Sequence, residues 1–355
     1  MKRYREWGVK HWHDVTCENL AEHLGALYAN HSLILFGEDD TDVPSTISQP
    51  SFVLWMLDRL QLEPGHRVFE LGAGSGWNAA MIGELVGARG EVHSLEIIPE
   101  IARAAAQTVA ELEFENVHII EGDGSDGYAA AAPYDRVVFT AGTYDLPHPF
   151  YDQLNDGGLL LIVIKTEGGG DNLFLLRKCG DHFESLESTP CGFVQVRGKR
   201  EAAHLEPRVI EQTIMEWPEL KTRELNRRPF WWGAKGRLGF EWATAGIRSF
   251  LGITEPLYRS FKTEKLKSAD FEYQYFGLWD AGRHSLVLAA DDQLVTYGEP
   301  SAGRHLLDRI RQWTELGMPS ASSFNLKVFP IGVDVTAGKN QWLVKRSESQ
   351  FLWSL

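Results

Sequence analysis

The stretch R-V-F-E-L-G-A-G-S-G-W-N-A-A-M-I-G-E-L-V-G, Arg67 to Gly87, changes its period half-way along. Arg67–Leu71 is an apolar run of strand length, and it breaks on glycines at 72, 74 and 76. From Trp77 onward the apolar residues recur at helical spacing, with Met81, Ile82, Leu85 and Val86 on one face. A strand that turns through glycines into a helix opens an α/β unit, and its turn lets the backbone approach a ligand closely.

Downstream the rhythm repeats. Glu91–Ile97, Val117–Asp123, Tyr134–Thr140 and Leu159–Ile164 read as further strands, with a helix opened by Pro99 and a short one near Phe150–Leu154. Its apolar marks are Ile101, Ala105 and Leu112 in the Pro99 helix. This alternation predicts a parallel sheet with right-handed crossovers. N-L-F-L-L-R-K and H-F-E-S-L-E-S, on either side of Cys179–Asp181, predict an antiparallel hairpin, and Cys191–Val196 one more strand. Upstream, Pro50 suits the first turn of a helix carrying Phe52, Trp55, Met56 and Leu60, stopped by Pro64–Gly65. Leu20, Leu24 and Leu27 mark a shorter helix before it. Past residue 200 the pattern turns to α+β, with a strand meander, an amphipathic helix over His305–Gly317 and two late strands. The expected division is a catalytic domain of residues 1–200 and a smaller α+β domain of residues 201–355, both within the common size range.

Composition narrows the function. The chain has 355 residues and a formal charge of −14, which disfavours nucleic acid, since binding it relies on neutralising phosphates. Its longest apolar run, Leu159–Ile164, is too short to span a bilayer. Three cysteines without C-x-x-C spacing argue against a disulfide framework, and no signal-peptide pattern is seen, so a soluble cytoplasmic protein is expected. His11 and His13 form an H-x-H pair with no partner cluster in the sequence, so no metal site is expected.

Three acidic residues stand at strand tips. Glu70 ends the first strand, where a carboxylate repels a pyrophosphate but suits a cationic amino group. Glu96 ends the second, placed to hold two ribose hydroxyls, and Asp123 ends the third, placed to accept from an adenine amino group. The third glycine follows the second by two residues, unlike the dinucleotide pattern G-x-G-x-x-G. Ligands of such sheets bind at the carboxyl ends of the strands. Together these describe a site for S-adenosyl-L-methionine and predict a methyltransferase. The segment T-I-S-Q-P-S-F, Thr46–Phe52, lies just before the first helix and carries hydroxyls and an amide but no base. A carboxylate acceptor is already ionised at neutral pH and needs only alignment and removal of water, whereas an alcohol must lose a proton.

T-I-S, L-E-P-G-H-R-V-F-E-L-G-A-G-S-G-W-N-A-A-M-I-G-E-L-V-G, E-G-D-G-S-D-G-Y, A-P-Y-D-R-V-V-F-T-A-G and Q-L-N-D-G-G-L-L-L-I-V-I, in this order from Thr46 to about Arg200, resemble the protein-L-isoaspartate (D-aspartate) O-methyltransferases. The resemblance implies a class I, Rossmann-like seven-stranded methyltransferase fold and esterification of an aspartate-type carboxyl in a protein or peptide. It assigns the active-site role to Ser48, with Thr46 beside it. It gives the cofactor to Gly72, Gly74, Ser75 and Gly76, to Glu96 and Ile97, to Asp123 and Gly124, and to Ile47, Gln49, Glu70 and Thr140 around them.

Two positions depart from that family. Gln49-Pro50-Ser51 replaces its usual A-P-H, and Thr143-Tyr144-Asp145 replaces an alanine-rich loop that cradles the isoaspartyl residue. The S-Q-P-S form, the W-N-A-A after the glycines and the long C-terminal extension are similar to a branch associated with peptide natural products. Its members methylate an encoded aspartate, and the ester collapses to an aspartimide. The acceptor therefore stays open between isoaspartyl and aspartyl residues. A small-molecule methyltransferase and a non-catalytic cofactor-binding adaptor are the remaining alternatives. The basic and aromatic segment Lys221–Arg237 is a candidate clamp for a polypeptide, with domain packing as the plainer reading.

Overall fold

The computed structural model describes residues 3–37, 45–167, 170–202, 205, 208–232, 236–268, 271–290 and 292–355. The acidic run Glu38–Asp42 lies outside the described residues. Ten strands form the principal sheet: β1 (Arg67–Leu71), β2 (Glu91–Glu96), β3 (Val117–Glu121), β4 (Tyr134–Thr143), β5 (Leu154–Thr166), β6 (Gly170–Cys179), β7 (His182–Pro190), β8 (Asn325–Pro330), β9 (Gln341–Lys345) and β10 (Ser349–Ser354). Across the sheet they run β9-β10-β8-β7-β6-β5-β4-β1-β2-β3. β1 to β5 are parallel to one another. The rest add as antiparallel neighbours.

Alternation of side chains explains the layers. Val68, Val138, Leu161 and Val163 point to one face, where helix α1 (Pro50–Arg59) brings Val53 and Met56 and helix α2 (Trp77–Val86) brings Ile82. Helix α3 (Pro99–Glu111) adds Val109 to that layer. Phe69, Val137, Phe139, Leu160 and Ile162 point the other way. Period-two alternation on strands with partners on both sides makes both faces apolar.

The second face is continuous with the extension. Its core runs from Phe69 and Phe174 through Phe250, Phe276 and Leu306 to Phe324 and Trp353. A separate six-stranded sheet uses Arg208–Val209, Tyr258–Ser268, Phe271–Asp280, Ser285–Ala290, Gln293–Gly298 and Glu224–Pro229, in that spatial order. The helix Gly236–Thr254 packs on β5 and β6 and also on the strand Tyr258–Ser268, joining the two sheets. The residues beyond 200 thus supply one sheet of their own and three strands of the principal sheet. Those strands cover the outer edge of β7 through Phe183↔Val328 and Glu184↔Lys327, a pairing that removes an open edge.

Several local expectations change. Cys191–Val196 is not a strand; it is an extended segment that meets β4 through a single bridge, Gly142↔Gln195. Gly142 N–H donates to the Val194 carbonyl at 2.7 Å and the Val196 N–H donates to the Gly142 carbonyl at 2.8 Å, so β4 holds one point of it rather than a ladder. Leu85 and Leu112 extend their helical stripes to the surface and are exposed, as are Leu20 and Leu24. Among the described residues no helix is long and apolar enough to cross a membrane. No group of three or more His, Cys, Asp or Glu among them is placed to hold a metal ion.

Candidate active site

The T-I-S segment is shaped by a two-stranded ribbon. Ser45–Ile47 pairs antiparallel with Leu33–Phe36, Ile34 opposite Thr46 and Leu33 opposite Ile47. Gln49 is extended at ψ 140°, and Pro50 then starts α1 at the position where a missing N–H costs nothing. The Ser51 N–H donates to Asn30 Oδ1 at 3.2 Å, which ties the turn to the chain before the ribbon. Thr46 and Ser48 are thereby carried over the carboxyl end of the sheet.

Beneath them is the glycine turn. Gly72 has φ +97°, and a Cβ there would lie 2.4 Å from Thr140 Oγ1 at the neighbouring strand tip. That hydroxyl is 2.8 Å from the Leu71 carbonyl and 2.7 Å from the Gly72 carbonyl, so it bridges the turn to β4. Gly76 serves packing: its Cβ would meet Val109 and Ala105 of α3 at 3.3 and 3.4 Å.

The three acidic tips have different environments. Glu96 accepts from the Gly74 N–H at 2.9 Å and the Ile98 N–H at 3.0 Å, which pins it between the glycine turn and the start of α3. Asp123 accepts from the Ser125 N–H and the Lys199 N–H, each at 2.9 Å. Burial opposes its charge, but hydrogen bonds from Ser125 and Lys199 outweigh it and hold the carboxyl below the usual range. Glu70 is fully buried on the central strand, and burial pushes its carboxyl up to about 7. Ser94 Oγ at 2.5 Å and Asn78 Nδ2 at 2.6 Å donate to it and pull the other way.

Two connected lobes lie between these groups. One, of about 60 Å³, is lined by Thr46, Gly72, Gly74, Glu96, Ile97, Asp123, Gly124 and Thr140, and is covered by Val194–Arg197. The other, of about 40 Å³, reaches Ile47, Ser48, Glu70, Ser75, Trp77 and Asn78. Both are smaller than the roughly 300–1,000 Å³ of small-molecule sites, so the ribbon and the Val194–Arg197 segment close down on them. Outside is a cleft of about 500 Å³ lined by Trp7, Ser32, Thr46, Ser48, Gln49, Phe52, Asp171 and Pro190–Val194. Thr46 and Ser48 border both the inner lobes and the outer cleft. Gln49 lies on the outer cleft, and Gly76 against α3, away from the inner lobes.

The profile of the protein-L-isoaspartate (D-aspartate) O-methyltransferase family matches residues 23–201. The protein-L-isoaspartate O-methyltransferase of Ignicoccus hospitalis is 36% identical over 172 residues, covering 47% of this chain and 82% of that enzyme. The chain belongs to this family. The Dictyoglomus thermophilum member is 37% identical over 181 residues, 50% of this chain and 76% of its own. The Pyrococcus horikoshii member is 45% identical over 119 residues, but this match spans only 34% of the chain and 53% of that enzyme. A solved protein-L-isoaspartate O-methyltransferase structure superposes with a TM-score of 0.51 at 23% identity, over 86% of this chain and 84% of that one. That likeness confirms the α/β methyltransferase fold. The family makes this chain an S-adenosyl-L-methionine-dependent methyltransferase.

Sequence reasoning missed Asn78, Ser94 and Asp171. Asn78 Oδ1 is buried and without a hydrogen-bond partner beside the inner lobe, although Asn78 Nδ2 is used by Glu70. Its spacing within α2 was a usable signal, since it stands one residue past the helix start and faces back to the strand tip.

Proposed function

We propose that this chain transfers a methyl group from S-adenosyl-L-methionine to the side-chain-type carboxylate of an isoaspartyl or aspartyl residue in a polypeptide. In this reading Glu96 takes the ribose hydroxyls and Asp123 with Ile97 and Gly124 takes the adenine. Glu70 and the free Asn78 Oδ1 meet the cationic amino group. The cofactor supplies an electrophilic methyl on a sulfonium. Ser48 and Thr46, which border both spaces, would orient one oxygen of the acceptor carboxylate from the outer cleft toward the methyl that the cofactor would supply.

The observation that carries this reading is the lining of the outer cleft. Its titratable groups among the described residues are Asp171 and Cys191. Asp171 is held by Lys165 Nζ at 2.5 Å, and burial pushes the Cys191 thiol up. Among the described residues no free base lines the cleft, which suits an acceptor that arrives ionised, as a carboxylate does. Labelled S-adenosyl-L-methionine with two peptides differing only in Asp or isoAsp tests this by release of base-labile methanol. Label on neither peptide removes the repair reading. Ser48→Ala is expected to lower kcat about 100-fold, the scale for losing one oriented donor, with cofactor affinity unchanged.

A dedicated precursor peptide as substrate has its own support. Tyr144 and Asp145 turn toward the extension: the Arg346 guanidinium lies 4.2 Å from the Tyr144 ring centroid, and the Glu348 N–H donates to Asp145 Oδ2 at 2.7 Å. In the extension, Leu225, Asn226 and Arg228 of an exposed edge strand face Arg304 and Leu307 across a groove of about 160 Å³. The two arginines of this groove support the clamp reading of the 201–355 region, with an acidic polypeptide as the partner. Arg228→Glu with Arg304→Glu is then expected to raise the peptide KM several-fold and leave the cofactor KM alone. Loss of water from an Asp peptide after methylation, read by mass, marks aspartimide formation.

Glu70 adds a pH dependence. The cofactor amino group favours the ionised carboxylate, so protonation as pH falls through about 7 weakens binding. S-adenosylhomocysteine is expected to bind more weakly at pH 6 than at pH 8, and Glu70→Gln to flatten that slope in a calorimetric titration.

A further inference from the structure

The inner lobe beside Glu96 and Asp123 is covered by Val194–Arg197, just before the family match ends, and residues from the far end of the chain hold that segment down. Gly198, at φ +90°, lets the backbone pass so close that a Cβ would lie 2.5 Å from Asp123 Oδ2 and 2.7 Å from Ile97 Cδ1. The next residue, Lys199, gives its N–H to Asp123 and its Nζ to Asp126 at 2.6 Å. Arg200 then reaches two ways. Its Nη1 donates to Asp126 Oδ1 at 2.7 Å and Ser125 Oγ at 3.1 Å. Its Nε and Nη2 grip Glu348 in a two-pronged pair at 2.5 and 2.9 Å.

Glu348 is itself fixed by the loop after β4. Its Oε2 accepts from the His148 N–H at 3.1 Å, and its N–H donates to Asp145. The adjoining Ser349 Oγ donates to the Leu146 carbonyl at 2.6 Å. The Arg200 side chain is 11% exposed and that of Glu348 is 27% exposed, so solvent screens this pair less than a surface one. Hydrogen bonds from Arg200 hold the Glu348 carboxyl below its usual range, against partial burial, so the pair is charged at neutral pH.

We propose that Glu348 and Arg200 are positioning residues for the methyl donor: their clasp sets the Val194–Lys199 segment and the Asp123 loop over the cofactor cavity, giving the extension control of cofactor affinity. A bidentate guanidinium–carboxylate pair fixes direction as well as distance, which a lysine does not. Neither residue touches the acceptor cleft, so the clasp acts on cofactor retention and not on peptide binding. The proposal rests on the cofactor reading of the inner lobes and is independent of which acceptor the enzyme uses.

The test uses the full chain and S-adenosylhomocysteine as probe. Glu348→Gln keeps the shape and removes the charge, and Arg200→Lys keeps the charge and removes the fork. Both are expected to weaken S-adenosylhomocysteine about tenfold by calorimetry, to speed its release in stopped-flow fluorescence, and to raise the cofactor KM while the peptide KM holds. Lys327→Ala, which breaks the 2.6 Å pair between the extension and Glu184 of β7, away from the cofactor cavity, controls for stability alone and should leave cofactor affinity intact. Unchanged affinity and release in the clasp variants, with only a lower Tm, would show a staple and overturn the proposal. So would a shift in the peptide KM instead. A wild-type chain that binds no S-adenosylhomocysteine overturns the cofactor reading and the clasp with it.

Discussion

Trp353→Ala is expected to destabilise the whole chain, catalytic half included, by about 3–5 kcal/mol. Trp353 is 1% exposed, and its ring meets Phe174 of β6 at a centroid distance of 5.7 Å and Phe324 at 6.4 Å. Truncation there empties a space walled by residues of β6 and of the extension, and close-packed surroundings relax only in part. Urea unfolding followed by tryptophan fluorescence and by S-adenosylhomocysteine binding should show both signals moving together to lower midpoint. If the fluorescence midpoint falls while cofactor binding keeps its own, the shared core is not the unit of stability. Deleting the extension is a poor test of its role for the same reason, since the cut exposes the apolar face of the catalytic sheet.

Gly72→Ala is expected to reduce methyl transfer about 100-fold, the scale of a misplaced reacting group. A side chain at φ +97° is strained, and the new Cβ would fall 2.4 Å from Thr140 Oγ1. Either the turn or Thr140 must move, and the turn carries the Gly74 N–H that holds Glu96. Adding Thr140→Ala removes the collision but not the backbone strain, so the double variant should recover activity only in part. Full recovery would assign the whole effect to the collision. Wild-type activity in the single variant would mean that the turn has no part in placing the cofactor.

The catalytic sheet was legible because its strands are buried on both faces and its helices on one. Arg67–Leu71 and Leu159–Ile164 could hardly be anything but central strands, and the three acidic tips followed from where Arg67–Leu71, Glu91–Ile97 and Val117–Asp123 stop. The T-I-S segment was legible only by resemblance, since its place depends on a ribbon whose partner strand, Leu33–Phe36, has no strong alternation. Cys191–Val196 misled because a β-like composition forms a strand only if a neighbour offers a ladder, and here Gly142 offers one point. Asn325–Pro330 and Gln341–Lys345 were visible as strands, but neither their neighbours nor the third strand, Ser349–Ser354, was. Leu326 and Val328 alternate as any half-buried strand would, and nothing local distinguishes a strand of the second sheet from one that pairs with β7. Arg200 and Glu348 were likewise invisible, because an ion pair 148 positions apart leaves no spacing to read.

The joining of β7 to β8 also governs how the chain can be made. Ser185 and Leu326 are hydrogen-bonded 141 positions apart, and closing so long a loop is slow compared with forming local helices and hairpins. During synthesis the seven earlier strands emerge first, with the rim of β7 bare and the aromatic face behind it still open to water. Until residues 325–354 have left the ribosome, that rim is a template for the same rim on another nascent chain. The late strands thus leave that rim unpaired for as long as residues 325–354 are unmade, in a chain whose family match already ends at residue 201.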